Sequence, residues 1–515
     1  MRKTAGILVP LFSLRTGRSL GIGDIADLPE FARLAKEAGQ GLVQLLPLGE
    51  LPDGESSPYS ACTTFAIDPV YVAVDRLEDL REEERGPLLG PDAEATFTRL
   101  RDAARVDYAA VRAVKRRLLR AAFDRFFVDH WEPRTERAAA LRAFAEAESA
   151  WVRDYALYRA QKGRYGEAWW LAWPAGVRER DPHALEVAGR ELGREALYHT
   201  YVQWIAHEQW DATRRECNAM GVELMGDLPF IVGVDSADVW QHKGEFRRDF
   251  SLGVPGDAWV PEGQDWGLPA YDWDAMDGGD LAWLRARGAH MGRMFDRFRV
   301  DHLVGYYRQY VRTKEDRVGR FVPEGGEPAW IARGEKVLSA LVASTKGKVI
   351  AEDLGTIPAF VGASMKKLAL PGYKVLMWEQ EEPGKWPYLS LATSGTHDTI
   401  TMATWWESLR YGERRQFLER VPPLRAVAQE YEVDKLVPRV HDALLDALYG
   451  AGSELALLPL QDVLGWKDRV NVPGVTSSDN WTWRLPMTLD AMRRDGAVAH
   501  RLGTAAELAR RHGRG

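Results

Sequence analysis

Phe298-Arg-Val-Asp301-His302 alternates apolar and charged side chains and ends on a carboxylate. A strand, with its period of two, places Arg299 and Asp301 on one face and Phe298 and Val300 on the other. If that charged face points into a closed core, Arg299 would hold Asp301 ionised by opposite-charge proximity. An ionised carboxylate is what a nucleophile or a charge stabiliser needs. The competing reading, a structural Arg–Asp pair at a strand end, is the weaker one for this motif. Its neighbours along the chain tip the balance.

Short, mostly apolar runs recur at 42–48, 222–228, 298–303, 349–354, 374–378, 391–397 and 455–460, with helical patterns between them. Such runs read as buried parallel strands joined by helices. One of those helices is marked by Leu28, Phe31 and Leu34 after Asp24, with Gly39 as its C-cap. The alternation predicts an α/β fold, which a closed barrel or an open doubly wound sheet would satisfy equally. A length of 515 residues is long for one core, yet barrels with inserted loops reach it. One catalytic barrel over 1–515 is therefore expected, with three excursions. Residues 92–200 and 401–450 read as helical insertions, and 231–291, rich in Gly, Pro, Asp and Trp, as loops over the active face.

Four carboxylates, Asp227, Asp301, Glu352 and Asp398, close predicted strands. In parallel α/β folds the C-terminal strand ends are where sites are built. In Ile350-Ala-Glu352-Asp353 the strand period lets only one of the two acids face inward, and the sequence leaves open which. A Glu there, partly desolvated among other carboxylates, would be pushed up and able to donate a proton. Asp353 is placed to cap the following helix. His397 and Asp398, adjacent, suit sugar hydroxyls. Two carboxyl groups flanking a labile acetal are the requirement of glycoside cleavage.

Other chemistries find little support. Net charge is −7, with no concentrated Lys/Arg surface of the kind nucleic acid needs. The densest basic stretch, 112–125, reads as a solvated helix face. No run of about 18 apolar residues suggests a membrane span, and the apolar run after Arg2 and Lys3 is broken by Pro10, which reads as the first element of the fold rather than a signal peptide. Cys62 and Cys217 read as free thiols in a reducing compartment, so a cytoplasmic protein is expected. Phosphate-binding loops, metal-ligand spacings and nucleophile elbows are all missing from the sequence. The 20 Trp residues include several in Gly- and Pro-rich stretches, among them Trp266, where an indole can stack on a sugar ring.

The combination Arg299-Val-Asp301-His302, Ala351-Glu352-Asp-Leu-Gly355 and His397-Asp398 resembles the signature segments of the α-amylase superfamily. Further stretches narrow the resemblance to its amylomaltase branch, glycoside hydrolase family 77. They include Gly21-Ile-Gly-Asp24, Ser57-Pro-Tyr59-Ser60, Gly226-Asp227-Leu-Pro229, Gly263-Gln-Asp-Trp266-Gly-Leu-Pro269, Asn471-Val-Pro-Gly474 and Asn480-Trp-Thr-Trp-Arg484. Residues 60–67 and Thr399-Ile400 depart from the commoner pattern of that family.

The resemblance implies a (β/α)8 barrel, a TIM barrel with inserted, largely helical subdomains, working without metal or organic cofactor. It implies Asp301 as nucleophile, Glu352 as general acid/base and Asp398 as the third carboxylate at the donor sugar. Arg299, Asp227 and His397 would surround that sugar, with His302 beside the nucleophile. Tyr59 and Trp266 would line the glucan groove, with Ser57, Asp257 and Asn471 as further contacts. The implied activity is 4-α-glucanotransfer, with α-1,4-glucans and maltooligosaccharides as donor and acceptor and a monomeric enzyme. A hydrolase on the same scaffold and a non-catalytic glucan-binding protein are the competing expectations.

Overall fold

The computed structural model describes residues 3–256, 263–313, 315–316, 318–427 and 435–515. Eight parallel strands form its centre: β1 Thr4–Leu8, β2 Leu42–Gln44, β3 Glu223–Leu228, β4 Arg297–Val300, β5 Lys348–Ala351, β6 Gly372–Val375, β7 Ser390–Thr393 and β8 Leu455–Pro459. Their hydrogen-bonded order is β5-β4-β3-β2-β1-β8-β7-β6, the chain order wrapped round a circle. Across the remaining seam the Ala351 N–H donates to the Pro371 carbonyl at 2.8 Å, and the barrel is nearly closed.

Apart from β6, where Gly372 and Lys374 are half-buried, the strands are largely buried on both faces, which is why their runs are mostly apolar. Inward residues such as Leu42, Met225, Ile350, Val375, Leu391 and Leu457 form a small cluster of their own inside the barrel. Outward residues join a large core with the surrounding helices. The ladders stop several residues before the apolar runs do. Leu45, Leu46 and Leu303, for example, are fully buried yet lie past the last paired residue. Apolar character records burial, and the chain remains buried as it enters the loops of the mouth.

The helix Leu28–Glu37 follows β1. Gly39 ends it with φ +74°, its N–H donating to the Lys36 carbonyl. A Cβ at Gly39 would come within 2.9 Å of the Ala506 Cα, so both the backbone angle and the packing call for glycine.

Within 92–200 lie the helices Ala93–Asp102, Tyr108–Phe126, Glu136–Ala147, Val152–Arg164 and Pro182–Glu191, followed by the long helix Gly193–Ala219. Within 401–450 lie Met402–Ser408, Tyr411–Arg420 and Pro438–Tyr449. The stretch 231–291 contains more than loops. Ser251–Val254 and Gln264–Asp265 join Gln309–Arg312 and Arg320–Val322 in a four-stranded antiparallel sheet, and Ala282–Met294 is the helix leading into β4. Strands of two to four residues between Gly and Pro show no periodicity to read.

The basic stretch 112–125 is not a solvated face throughout. Lys115 is 1% exposed and donates to the Val70 and Val72 carbonyls at 2.6 and 2.8 Å, and Arg112 is also largely covered. Long cationic side chains can satisfy buried loop carbonyls while their stems pack. Among the described residues no helix is long and apolar enough to cross a membrane. Both cysteines are buried and unpaired.

Candidate active site

Strand register brings the first two charged groups together. Asp227 on β3 is the direct partner of Arg299 on β4, and parallel partners point to the same side. Arg299 Nη1 lies 2.8 and 2.9 Å from the two oxygens of Asp227. Its Nη2 reaches Asp301 at 2.8 Å and stands 3.9 Å from Glu352. One planar guanidinium thus faces three carboxyls, a geometry that a lysine could not reproduce.

The choice between Glu352 and Asp353 follows from β5. Ile350 points into the barrel, so the period of two carries Glu352 inward as well. Its carboxylate accepts the N–H groups of His302 at 2.8 Å and Leu354 at 3.0 Å. Burial, with Asp301 adding to it, pushes Glu352 up to about 7 against the pull of Arg299 and the two amides. Such a carboxyl can both give and take a proton near neutrality. Asp227 is raised from the usual carboxylate range, again chiefly by burial.

Asp353 is not a helix cap. Its carboxylate accepts the Tyr373 N–H at 2.7 Å. It therefore bridges β5 to β6 at the seam where the ladder is missing, and proximity to that strand outcompetes the more distant helix Ala359–Lys367.

Beyond β7 the environment differs. Asp398 accepts from Asn471 Nδ2 at 2.7 Å and lies 3.3 Å from His397 Nε2. Burial acts upward on Asp398, but His397 and Asn471 outweigh it and bring the carboxyl down to about 2. Tyr59 joins the two sides. Its hydroxyl donates to Asp227 at 2.7 Å and lies 3.1 Å from His397 Nε2, with the two rings stacked at 5.4 Å. Burial and the Asp227 charge raise the Tyr59 hydroxyl well above its ordinary value, so it stays protonated.

His302 sits beside Asp301 with φ 45°, and its surroundings push it down to about 4, leaving a neutral ring. Trp266 meets that ring edge-on at 4.8 Å. Ser57 stands further back on the Tyr59 loop, where its hydroxyl accepts the Tyr59 N–H at 3.4 Å. Asp257 lies outside the described residues.

Several groups escaped the sequence reading. Arg469 donates to the Asp398 carbonyl at 2.7 Å. Trp481, in a left-handed conformation, packs on both Tyr59 and His397. The Phe230 N–H donates to Asp301 at 3.3 Å. Trp378, just past β6, is 51% exposed on the mouth side. Asn471 and Trp481 stand in family-like stretches, but nothing local in those stretches tells which carboxylate or ring they meet. Among the described residues no group of three or more His, Cys, Asp or Glu is arranged to hold a metal ion.

A parallel eight-stranded barrel whose mouth gathers these carboxyls around one arginine defines a barrel enzyme of the carbohydrate-cleaving class. The sequence profile of glycoside hydrolase family 77, described as 4-alpha-glucanotransferase, matches residues 9–489. A 4-alpha-glucanotransferase of Thermus thermophilus is 33% identical over 491 residues, covering 90% of this chain and 91% of its own. One from Synechocystis is 31% identical, with 94% of each chain covered. Among solved structures, an amylomaltase from Streptococcus agalactiae in complex with acarbose superposes with a TM-score of 0.83 at 23% identity, over 100% of both chains. The chain belongs to glycoside hydrolase family 77, the 4-α-glucanotransferases.

Proposed function

We propose that this chain's 4-α-glucanotransfer on α-1,4-glucans runs as a retaining double displacement, with Asp301 as nucleophile and Glu352 as general acid/base. The observation that carries this reading is the shared Arg299 Nη2, which stands 2.8 Å from Asp301 and 3.9 Å from Glu352. Two oxygens on one nitrogen at these distances lie less than about 7 Å apart, which favours a retaining pair, at about 5–5.5 Å, over the wider inverting range of about 6.5–9.5 Å.

In the first step protonated Glu352 gives its proton to the departing glycosidic oxygen while an Asp301 oxygen forms a bond to C1. The reducing-end portion leaves with that proton, and the donor remains as a glycosyl ester. Glu352, now ionised, removes the proton from the 4-hydroxyl of an incoming glucan. That oxygen attacks C1 and displaces Asp301, so two inversions retain the α configuration. Arg299 stabilises the carboxylate as it leaves. Asp398, charged at any ordinary pH, is placed to take two adjacent sugar hydroxyls, with His397, Tyr59 and Asp227 around the same ring and Asn471 anchoring it. Trp266 and His302 form the wall of the groove.

Two buried unpaired thiols fit a reducing, cytoplasmic setting. The test is incubation with maltotriose alone, separating products by size. The expected result is glucose plus a ladder of longer maltooligosaccharides, abolished in Asp301→Ala. Glucose and maltose without longer products would replace transfer by hydrolysis.

A further inference from the structure

The chain between β2 and the helical insertion makes a loop that carries Tyr59 into the mouth. Its base is closed by pairing of Gly49 with Ile67 and by the Glu50 N–H donating to the Ala66 carbonyl at 3.1 Å. The outer part, 51–57, has no such ladder. A cavity of about 170 Å³ lies behind it, walled by Leu51 and Asp53 of the loop and by Arg112, Arg116 and Arg159 of the insertion. Leu51 and Pro58 are buried at the two ends of this segment, while 52–57 between them are partly or fully exposed and are held by polar bonds, Arg116 to Asp53 at 3.0 Å among them.

Arg112, from the helix Tyr108–Phe126, makes the central ones. Its Nη1 donates to the carbonyls of Pro52 at 3.3 Å and Glu55 at 3.2 Å. Its Nη2 donates at 3.3 Å to Asp68, which itself accepts the Leu51 N–H. One guanidinium therefore ties the outer loop to Asp68 on one side of the base, and Asp68 in turn holds Leu51 on the other. The path continues by direct bonds. The Glu55 carboxylate accepts the Ser56 and Ser57 N–H groups at 2.7 and 2.8 Å, and the Ser57 hydroxyl accepts the Tyr59 N–H. The Tyr59 hydroxyl then meets Asp227 and His397.

We propose that Arg112 is a positioning residue for the transfer reaction: it sets the height of the Ser57–Tyr59 segment and so places the Tyr59 hydroxyl at the donor sugar. This gives the helical insertion a defined part in the reaction, and it rests on the assignment of Tyr59 to the donor site. A contiguous path of bonds becomes evidence of coupling only when the two ends are shown to depend on each other.

The experiment is a double-mutant cycle on maltotriose disproportionation with Arg112→Ala, Tyr59→Phe and the pair, reading kcat and KM separately, with thermal unfolding alongside. Arg112→Ala is expected to lower kcat/KM about tenfold, since small displacements of substrate-positioning groups have effects of this size or larger. Arg112→Lys should recover part of that loss, because one ammonium can reach a loop carbonyl without bridging to Asp68. In the Tyr59→Phe background the Arg112 substitution should change kcat/KM less than about twofold, because the hydroxyl it places is already gone. Full additivity, or unchanged kinetics in a folded Arg112→Ala protein, overturns the proposal. If the alanine variant does not fold, the same cycle with Arg112→Lys decides by the same criterion. A silent Tyr59→Phe would instead remove the donor-site assignment, and this proposal with it.

Discussion

At the end of β5 the Glu352 carboxyl is pushed up to about 7, while past β7 the Asp398 carboxyl is held at about 2, and both belong to one mouth. The difference lies in who shares the donors. Glu352 competes with Asp227 and Asp301 for Arg299, so three carboxyls, one fully buried and two half-buried, face a single cation. Asp398 has Asn471 beside it and His397 3.3 Å away with only the Tyr59 hydroxyl sharing that nitrogen, and its side chain is 41% exposed against 12% for Glu352. One side of the mouth is short of positive charge and keeps a proton; the other is well supplied and keeps its charge. Opposed environments of this kind separate an acid from a charge stabiliser among chemically similar groups.

The largest effects should come from removing each carboxyl. Glu352→Ala and Asp398→Ala are each expected to reduce maltotriose disproportionation on the order of a thousandfold or more. The two should part company with an α-maltosyl fluoride as donor. Fluoride leaves without a proton, so Glu352→Ala should regain the first step and, lacking its base, accumulate a glycosyl ester on Asp301 visible by intact mass. Asp398→Ala has lost contacts to the sugar itself and should form no adduct. Equal rescue of both variants would erase the proposed division between them.

A smaller effect follows in the pH profile. The first step needs Glu352 protonated in the free enzyme, so kcat/KM should fall as pH rises through about 7, approaching tenfold per pH unit beyond it. Asp398 at about 2 should contribute nothing to an acid limb above pH 4. A profile flat to pH 9 would remove Glu352 from the acid role.

The two sides also differ in how far the sequence exposes them. Asp227, Arg299 and Asp301 stand on or just past strands whose period of two announces a shared face, and the same runs announce an α/β fold while leaving a closed barrel and an open sheet equally allowed. Strand period by itself separates Glu352 from Asp353 only once Ile350 is placed inside the barrel. The Asp398 side is assembled by loops. Tyr59 reaches His397 across 338 residues and Asn471 reaches Asp398 across 73, and contacts so distant leave no local pattern. The reading of 112–125 as a solvated face failed for a related reason: charge suggests water until a loop carbonyl is known to be waiting for Arg112 or Lys115.

The smallest effect tests the same opposition through stability. Below about 4.5, the ordinary value for Glu, Glu352 is protonated folded and unfolded alike, and its burial as a charge costs nothing. As pH rises from there to about 7 the unfolded chain releases the proton while the folded one holds it, so stability declines by about 1.4 kcal/mol per pH unit at most and levels off above 7. Glu352→Gln removes that penalty, though its amide must turn an NH2 group toward the His302 or Leu354 N–H, which offsets part of the gain. At pH 8 the variant should melt about 1–3 °C above the parent, and at pH 4 the advantage should vanish. Asp398 runs the other way. Its folded value lies below its ordinary 3.8, so the stability it contributes is present above that value and is lost as pH falls toward about 2. Asp398→Asn should therefore lower the melting temperature at pH 8, with a modest shift because the group is partly exposed. If both variants move the melting temperature in the same direction at pH 8, the two carboxyls do not sit in opposed environments, and the assignment of acid and charge stabiliser loses its physical basis.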